Sequence, residues 1–170
     1  MTAEIDYRLL GNTETSAIFG ARTELGVNDY LMSWSTLSAR RVFYAYGSTT
    51  ISSTQYVSNY QRHSRKMAPD GGYYDGEKIF SWEPQEFETE NNCWIFGRSG
   101  ASSYASASVW SCRIWLGDVL TRNFLPALRK ADGKPGMYDT ITGVLYTNAG
   151  TGEFGYTNTD GTIIDPVSGT

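Results

Sequence analysis

Between Ser106 and Leu116 the chain alternates with a period of two. Trp110, Cys112, Ile114 and Leu116 fall on one face, and Val109, Ser111, Arg113 and Trp115 on the other. Successive side chains of a strand point to opposite faces, so this pattern predicts a long strand with one face in a core. Gly117-Asp118 then offers a tight turn into a second run, Val119 to Leu125, which Pro126 is expected to close because proline cannot donate to a ladder. Gly136 to Asp139, a Thr-Gly turn, Val144 to Tyr146 and the glycine-rich segment 148–152 complete the stretch. Consecutive hairpins of this kind leave little room for any fold that is not all-β.

The rest of the chain has the same character. Thr2 to Leu10 places Ala3, Ile5, Tyr7 and Leu9 on one face and Glu4, Asp6 and Arg8 on the other. Ser16 to Arg22 reads as the next strand, and Gly20 inside it marks a bulge or a close neighbour. Further strands are expected at Tyr30–Trp34, Arg41–Tyr46, weakly at Gln55–Val57, and at Tyr60–Met67. Asp75-Gly76 between apolar residues is a strong hairpin signal. Beyond it, Phe87 starts a short strand and Cys93 to Arg98 forms another. No segment sustains a 3.6-residue period over ten residues, so no substantial helix is expected. Eleven or twelve strands at roughly this spacing predict an all-β sandwich or barrel over 1–155. Residues 156–170 form a polar tail, either a linker or an arm that adds an edge strand.

The 170 residues make one domain of ordinary size. A net charge of −4 argues against nucleic acid, which requires a basic face. No window holds 18 apolar residues, so membrane insertion is not expected. The N-terminal M-T-A-E-I-D-Y-R lacks the basic and apolar regions of a signal peptide. Aromatics make up 14% of the chain, and with the abundant Gly, Ser and Thr they suit a virion or extracellular, cell-surface β-protein. Cys93 and Cys112 fit no metal spacing. They read as small buried hydrophobes within strands, or as a bridge if their Cα atoms lie within about 7 Å.

Several runs together resemble a known family: 107–115 (A-S-V-W-S-C-R-I-W), 120–126 (L-T-R-N-F-L-P), 136–139 (G-M-Y-D) and 146–154 (Y-T-N-A-G-T-G-E-F). They are similar to the C-terminal part of concanavalin A-like (laminin-G-like) jelly-roll domains of bacteriophage virion proteins and gut-bacterial surface proteins. Ile18–Arg22 and the 73–77 hairpin fall where that family places a front strand and a central hairpin. The resemblance implies a sandwich of two curved antiparallel sheets of about six strands each. It also implies binding of glycan or polypeptide, structural decoration or, in a minority, polysaccharide hydrolysis. Such domains begin with a further edge strand ahead of Thr2, which the tail or a neighbouring chain would replace.

The candidate chemistry is chiefly aromatic. Tyr44 and Tyr46 share a face, Tyr73 and Tyr74 lie in the central hairpin, and Trp115 lies opposite the Trp110/Cys112 face. Rings on outward faces can stack on sugars beside polar groups, which makes these five the expected ligand-binding residues. The competing reading packs them between sheets or against a partner subunit. Glu4 and Asp6 are in phase like the paired carboxylates of a retaining glycosidase, but Arg8 holds the third position, so a solvated face with an Asp–Arg pair is expected. His63, the sole histidine, has no partners for a zinc site or a triad in sequence and reads as a surface residue of the basic run 62–66. Asp70 and Asp75 could supply oxygen ligands to calcium, although turn chemistry alone accounts for them. The expectation is a non-catalytic recognition or attachment module without a cofactor. Its partners would be glycan or host-surface polysaccharide and other virion or surface proteins, copies of itself included.

Overall fold

The structure is a computed structural model that describes residues 1–11, 16–21, 28–35, 41–56, 60–89, 91–97, 105–148 and 154–155. Its strands are β1 (Thr2–Leu9), β2 (Ser16–Ala21), β3 (Asp29–Ser35), β4 (Arg41–Gly47), β5 (Thr49–Tyr56), β6 (Arg62–Ala68) and β7 (Gly71–Tyr74). They continue as β8 (Glu77–Ser81), β9 (Trp94–Ile95), β10 (Ala107–Leu116), β11 (Val119–Leu128), β12 (Pro135–Asp139) and β13 (Val144–Tyr146). No helix occurs among the described residues. The tail 156–170, Arg98 and most of the glycine-rich segment 148–152 lie outside them.

The strands form two antiparallel sheets, one of eight in the order β13-β12-β11-β10-β1-β6-β7-β8 and one of five in the order β5-β4-β3-β2-β9. Neither is closed or strongly curled, which overturns the curved jelly-roll expected from the resemblance. The resemblance rests on short local runs, whereas the curvature of a sheet is set by twist and pairing over all its strands. By contact the chain divides into two compact units, Ile5–Ser108 and Met1–Glu4 with Val109–Thr170.

The unit Ile5–Ser108 holds most of the buried apolar side chains. Ile5, Tyr7 and Leu9 of β1 are fully buried, in the phase read from the sequence. Phe19, Tyr30, Met32, Tyr44 and Met67 join them, each such burial stabilising by roughly 1.5–3 kcal/mol. Ala17, Leu31 and Ala45 make a separate buried cluster with Phe43 packed on it. Strand β2 is buried at every position. Its Gly20 has φ +131°, and a Cβ there would lie 1.8 Å from the Tyr30 carbonyl oxygen. The close neighbour expected at Gly20 is therefore the backbone of β3.

Local signals fared unevenly in this unit. Asp75 (φ 50°) and Gly76 (φ 84°) form the tight turn between β7 and β8, with both central residues left-handed as a type I′ hairpin requires. Strand β5 begins at Thr49, well before the weak run at Gln55. Residues 82–89 form no strand, so the short one expected at Phe87 is absent. Phe87 instead packs edge-on against Tyr46, with ring centres 5.0 Å apart. Gln85 accepts from Ser48 N and donates to Thr49 Oγ1, so side-chain bonds rather than a ladder hold the segment. Cys93 is exposed just ahead of β9 and Cys112 is buried in β10. Both are free, so only Cys112 is the buried strand residue expected.

The second unit is built on the meander β10–β13. Strand β11 runs through Pro126, which pairs with Met137 of β12. The ladder with β10 spans Val119 to Phe124, so Pro126 lies beyond it and its missing N–H interrupts no bond to β10. The register slips between Ile114 and Trp115. On the face expected to be apolar, Cys112 is buried but Leu116 is 58% exposed. Asp139 anchors the turn into β13. Its fully buried carboxylate accepts from Asn123 N at 3.0 Å, Ile141 N at 3.1 Å and Thr142 Oγ1 at 2.8 Å.

Candidate functional site

Within the unit Ile5–Ser108, strand β6 is the source of both an interior and a surface cluster. His63, Arg65 and Met67 point inward, while Arg62, Ser64 and Lys66 face outward. A run that looks uniformly basic in sequence is therefore divided by strand alternation into a buried and a solvated set.

The buried set is held by backbone acceptors. Arg65 is fully buried, with Nη1 donating to the Ser33 carbonyl and Nη2 to the Phe43 carbonyl, each at 2.7 Å. Its guanidinium carbon lies 4.5 Å from the centre of the Tyr44 ring. The Tyr44 hydroxyl donates to the Tyr73 carbonyl at 2.5 Å. Burial pushes the Tyr44 hydroxyl pKa upward and that of Tyr7 to about 12, so both hydroxyls remain neutral. His63 is buried, contrary to the surface position expected of it. Its Nδ1 lies 2.8 Å from Asp75 Oδ2 and its ring stacks on Tyr74. The hairpin turn supplies the partner that sequence proximity did not reveal.

The outward set is a short row across three strands, Lys66 on β6, Tyr73 on β7 and Lys78 on β8, in direct register. Lys66 Nζ stands 4.3 Å from the centre of the Tyr73 ring, and Lys78 Nζ stands 5.8 Å from it. Asp70 Oδ2 accepts from the Tyr73 hydroxyl and from Lys78 Nζ, both at 2.8 Å. Those bonds hold the Asp70 carboxyl below its ordinary value and raise the Tyr73 hydroxyl and the Lys78 ammonium above theirs. Beside the row, Arg62 forms a bidentate ion pair with Asp6. The arginine paired with Asp6 is thus a cross-strand residue, not Arg8, its neighbour along β1.

The five expected ligand-binding residues are dispersed. Tyr44, Tyr46 and Tyr74 are interior, each less than a tenth exposed. Tyr46 stacks on Trp82 with ring centres 5.3 Å apart. Tyr73 is half-buried and outward-facing. Trp115, also half-buried, belongs to β10 in the other unit, opposite Leu120. The two candidate calcium ligands take different partners, Asp70 with Lys78 and Tyr73, and Asp75 with His63 and Ser64 N. Among the described residues no group of three or more His, Cys, Asp or Glu is placed to hold a metal ion. Sequence reasoning missed Lys66 and Lys78. The signal that finds them is their spacing from Tyr73 across the two hairpins, visible once the register is fixed.

Comparison with protein-family models, curated proteins and solved structures finds no match to this chain.

Proposed function

We propose that this protein is a non-catalytic recognition and attachment module of a virion, as a decoration or tail-fibre component, or of a cell surface, binding glycan or a partner protein. The observation that supports it best is the Tyr73 row. An outward aromatic ring is fixed by Asp70 and flanked by two lysines, which combines an apolar surface with several hydrogen-bonding groups. Tyr44, Tyr46 and Tyr74 enter this reading as the packing beneath it, Tyr44 through its bond to the Tyr73 carbonyl.

A second reading, a purely structural assembly domain without ligand, draws on the other unit. At the β10–β11 turn Leu116 is 58% exposed and Val119 66%, and on β13 Val144 and Tyr146 are exposed. Large apolar side chains gathered at a hairpin tip and a short edge strand suit contact with further subunits.

A glycan array combined with a mass measurement in solution separates the two. Sugar binding by a monomer, lost on Tyr73→Ala, supports recognition. A stable oligomer that binds no sugar at millimolar concentration supports assembly instead and removes the glycan reading.

A further inference from the structure

The outward face of β6–β8 carries a charge that has no counter-ion among the described residues. Arg62 is met by Asp6 and Lys78 by Asp70, but among the described residues Lys66 has no carboxylate within ion-pair distance. The chain has 18 Asp and Glu against 14 Lys and Arg, so carboxylates to neutralise Lys66 are not scarce. In register, Lys66 and Lys78 instead flank one tyrosine from either side. The Lys66 ammonium lies over the Tyr73 ring, a favourable cation–π contact that supplies no counter-charge.

We infer that the Lys66–Tyr73–Lys78 row takes an acidic glycan, a polysaccharide bearing carboxylate or sulfate groups. The inference rests on the glycan reading above and narrows it to a ligand class. Much of the site is already organised. Asp70 fixes the Tyr73 hydroxyl and the Lys78 ammonium. Gly71 leaves room for the lysine stem, because a Cβ there would lie 2.5 Å from Lys78 Cε. Lys66 remains to make its ion pair with the ligand. A neutral sugar meets a ring already shared with an ammonium group. An acidic sugar adds a charge-assisted bond to that ammonium, and such bonds are the stronger kind.

Calorimetric titration tests this with four probes: an oligogalacturonate, a sulfated dextran oligomer, a neutral dextran oligomer and polyglutamate. The expected result is binding of one or both acidic glycans, weakening as salt is raised, with no binding of neutral dextran or polyglutamate. Lys66→Ala should weaken binding at least about ten-fold, the loss of one charge-assisted contact, while Lys66→Arg retains it. Both variants should melt like the parent, since Lys66 lies outside the core. Neutral dextran binding as tightly as the acidic glycans, with Lys66→Ala silent, would overturn the acidic class and leave the glycan reading standing. Polyglutamate binding as tightly as the glycans would make the row a site for acidic protein and overturn the inference. Failure of every glycan, on the array as well as here, removes the reading on which it rests.

Discussion

Arg65 Nη1 donates to the carbonyl oxygen of Ser33 at 2.7 Å, joining strand β6 of the larger sheet to β3 of the smaller inside the unit Ile5–Ser108. A second bond, to Phe43 on β4, completes a fork that spans two neighbouring strands. The contact makes a buried cation part of the sandwich, with backbone carbonyls and the Tyr44 ring standing where a carboxylate would be expected. It also fixes the phase of β6, and with it the outward direction of Lys66.

Replacing Arg65 therefore tests the frame. Arg65→Met should destabilise the protein by about 3–5 kcal/mol, because two buried carbonyls lose their donors. Arg65→Lys should recover only part of this, since one ammonium cannot reproduce the planar fork. Urea unfolding followed by tryptophan fluorescence measures both.

Gly20→Ala should cost at least about 3 kcal/mol, since the new Cβ would fall 1.8 Å from a backbone oxygen and β2 would have to leave β3. Gly117→Ala, at φ +59° with nothing within 4 Å, should cost only about 1 kcal/mol of backbone strain. The ratio of the two, from unfolding midpoints, separates close approach from conformational strain.

Asp139 carries a pH dependence. Burial pushes its carboxyl upward, but bonds from Asn123 N, Thr142 and Ile141 N, with the charge of Arg122, outweigh that and leave it below the ordinary value. A carboxylate with a depressed folded value contributes stability that is complete above the unfolded value of about 3.9 and is lost as pH falls through the folded one. The side-chain carboxyl resonance of Asp139 should titrate below about pH 3.9. Asp139→Asn should lose roughly 1–3 kcal/mol near neutral pH, with less of a deficit at low pH.

Tyrosines read as one group in the sequence should separate in function. Tyr44→Ala removes a fully buried ring and should cost about 3–5 kcal/mol. Tyr73→Ala should leave stability within about 1 kcal/mol of the parent but abolish ligand binding. Paired melting and binding measurements on the two variants check this.

What was legible in the sequence was local. The alternation of β1 and the Asp75-Gly76 turn need only neighbouring residues to be read, and both are present as expected. Gly20 signalled a close neighbour because only a missing side chain permits one. What was illegible depends on partners far along the chain. His63 read as a surface residue because its partner is the turn aspartate twelve residues away. Phe87 read as a strand because its contact with Tyr46 cannot be inferred from its own surroundings. Pro126 read as a stop because which half of β11 is laddered to β10 depends on the register of three strands. The curvature of a sheet likewise depends on twist and pairing over all its strands, which the resemblance at the C-terminal hairpins could not convey. At the site, Tyr73 was visible as an aromatic, but Lys66 and Lys78 became its neighbours only through pairing.

The most direct test of the recognition reading is amide chemical-shift mapping of the 15N-labelled protein, titrated with the best-binding oligosaccharide from the array. Perturbations should centre on Lys66, Tyr73 and Lys78, extend to Asp70 and saturate with a single affinity. Saturable shifts confined to β10–β13, or no shifts at millimolar sugar, would contradict that reading.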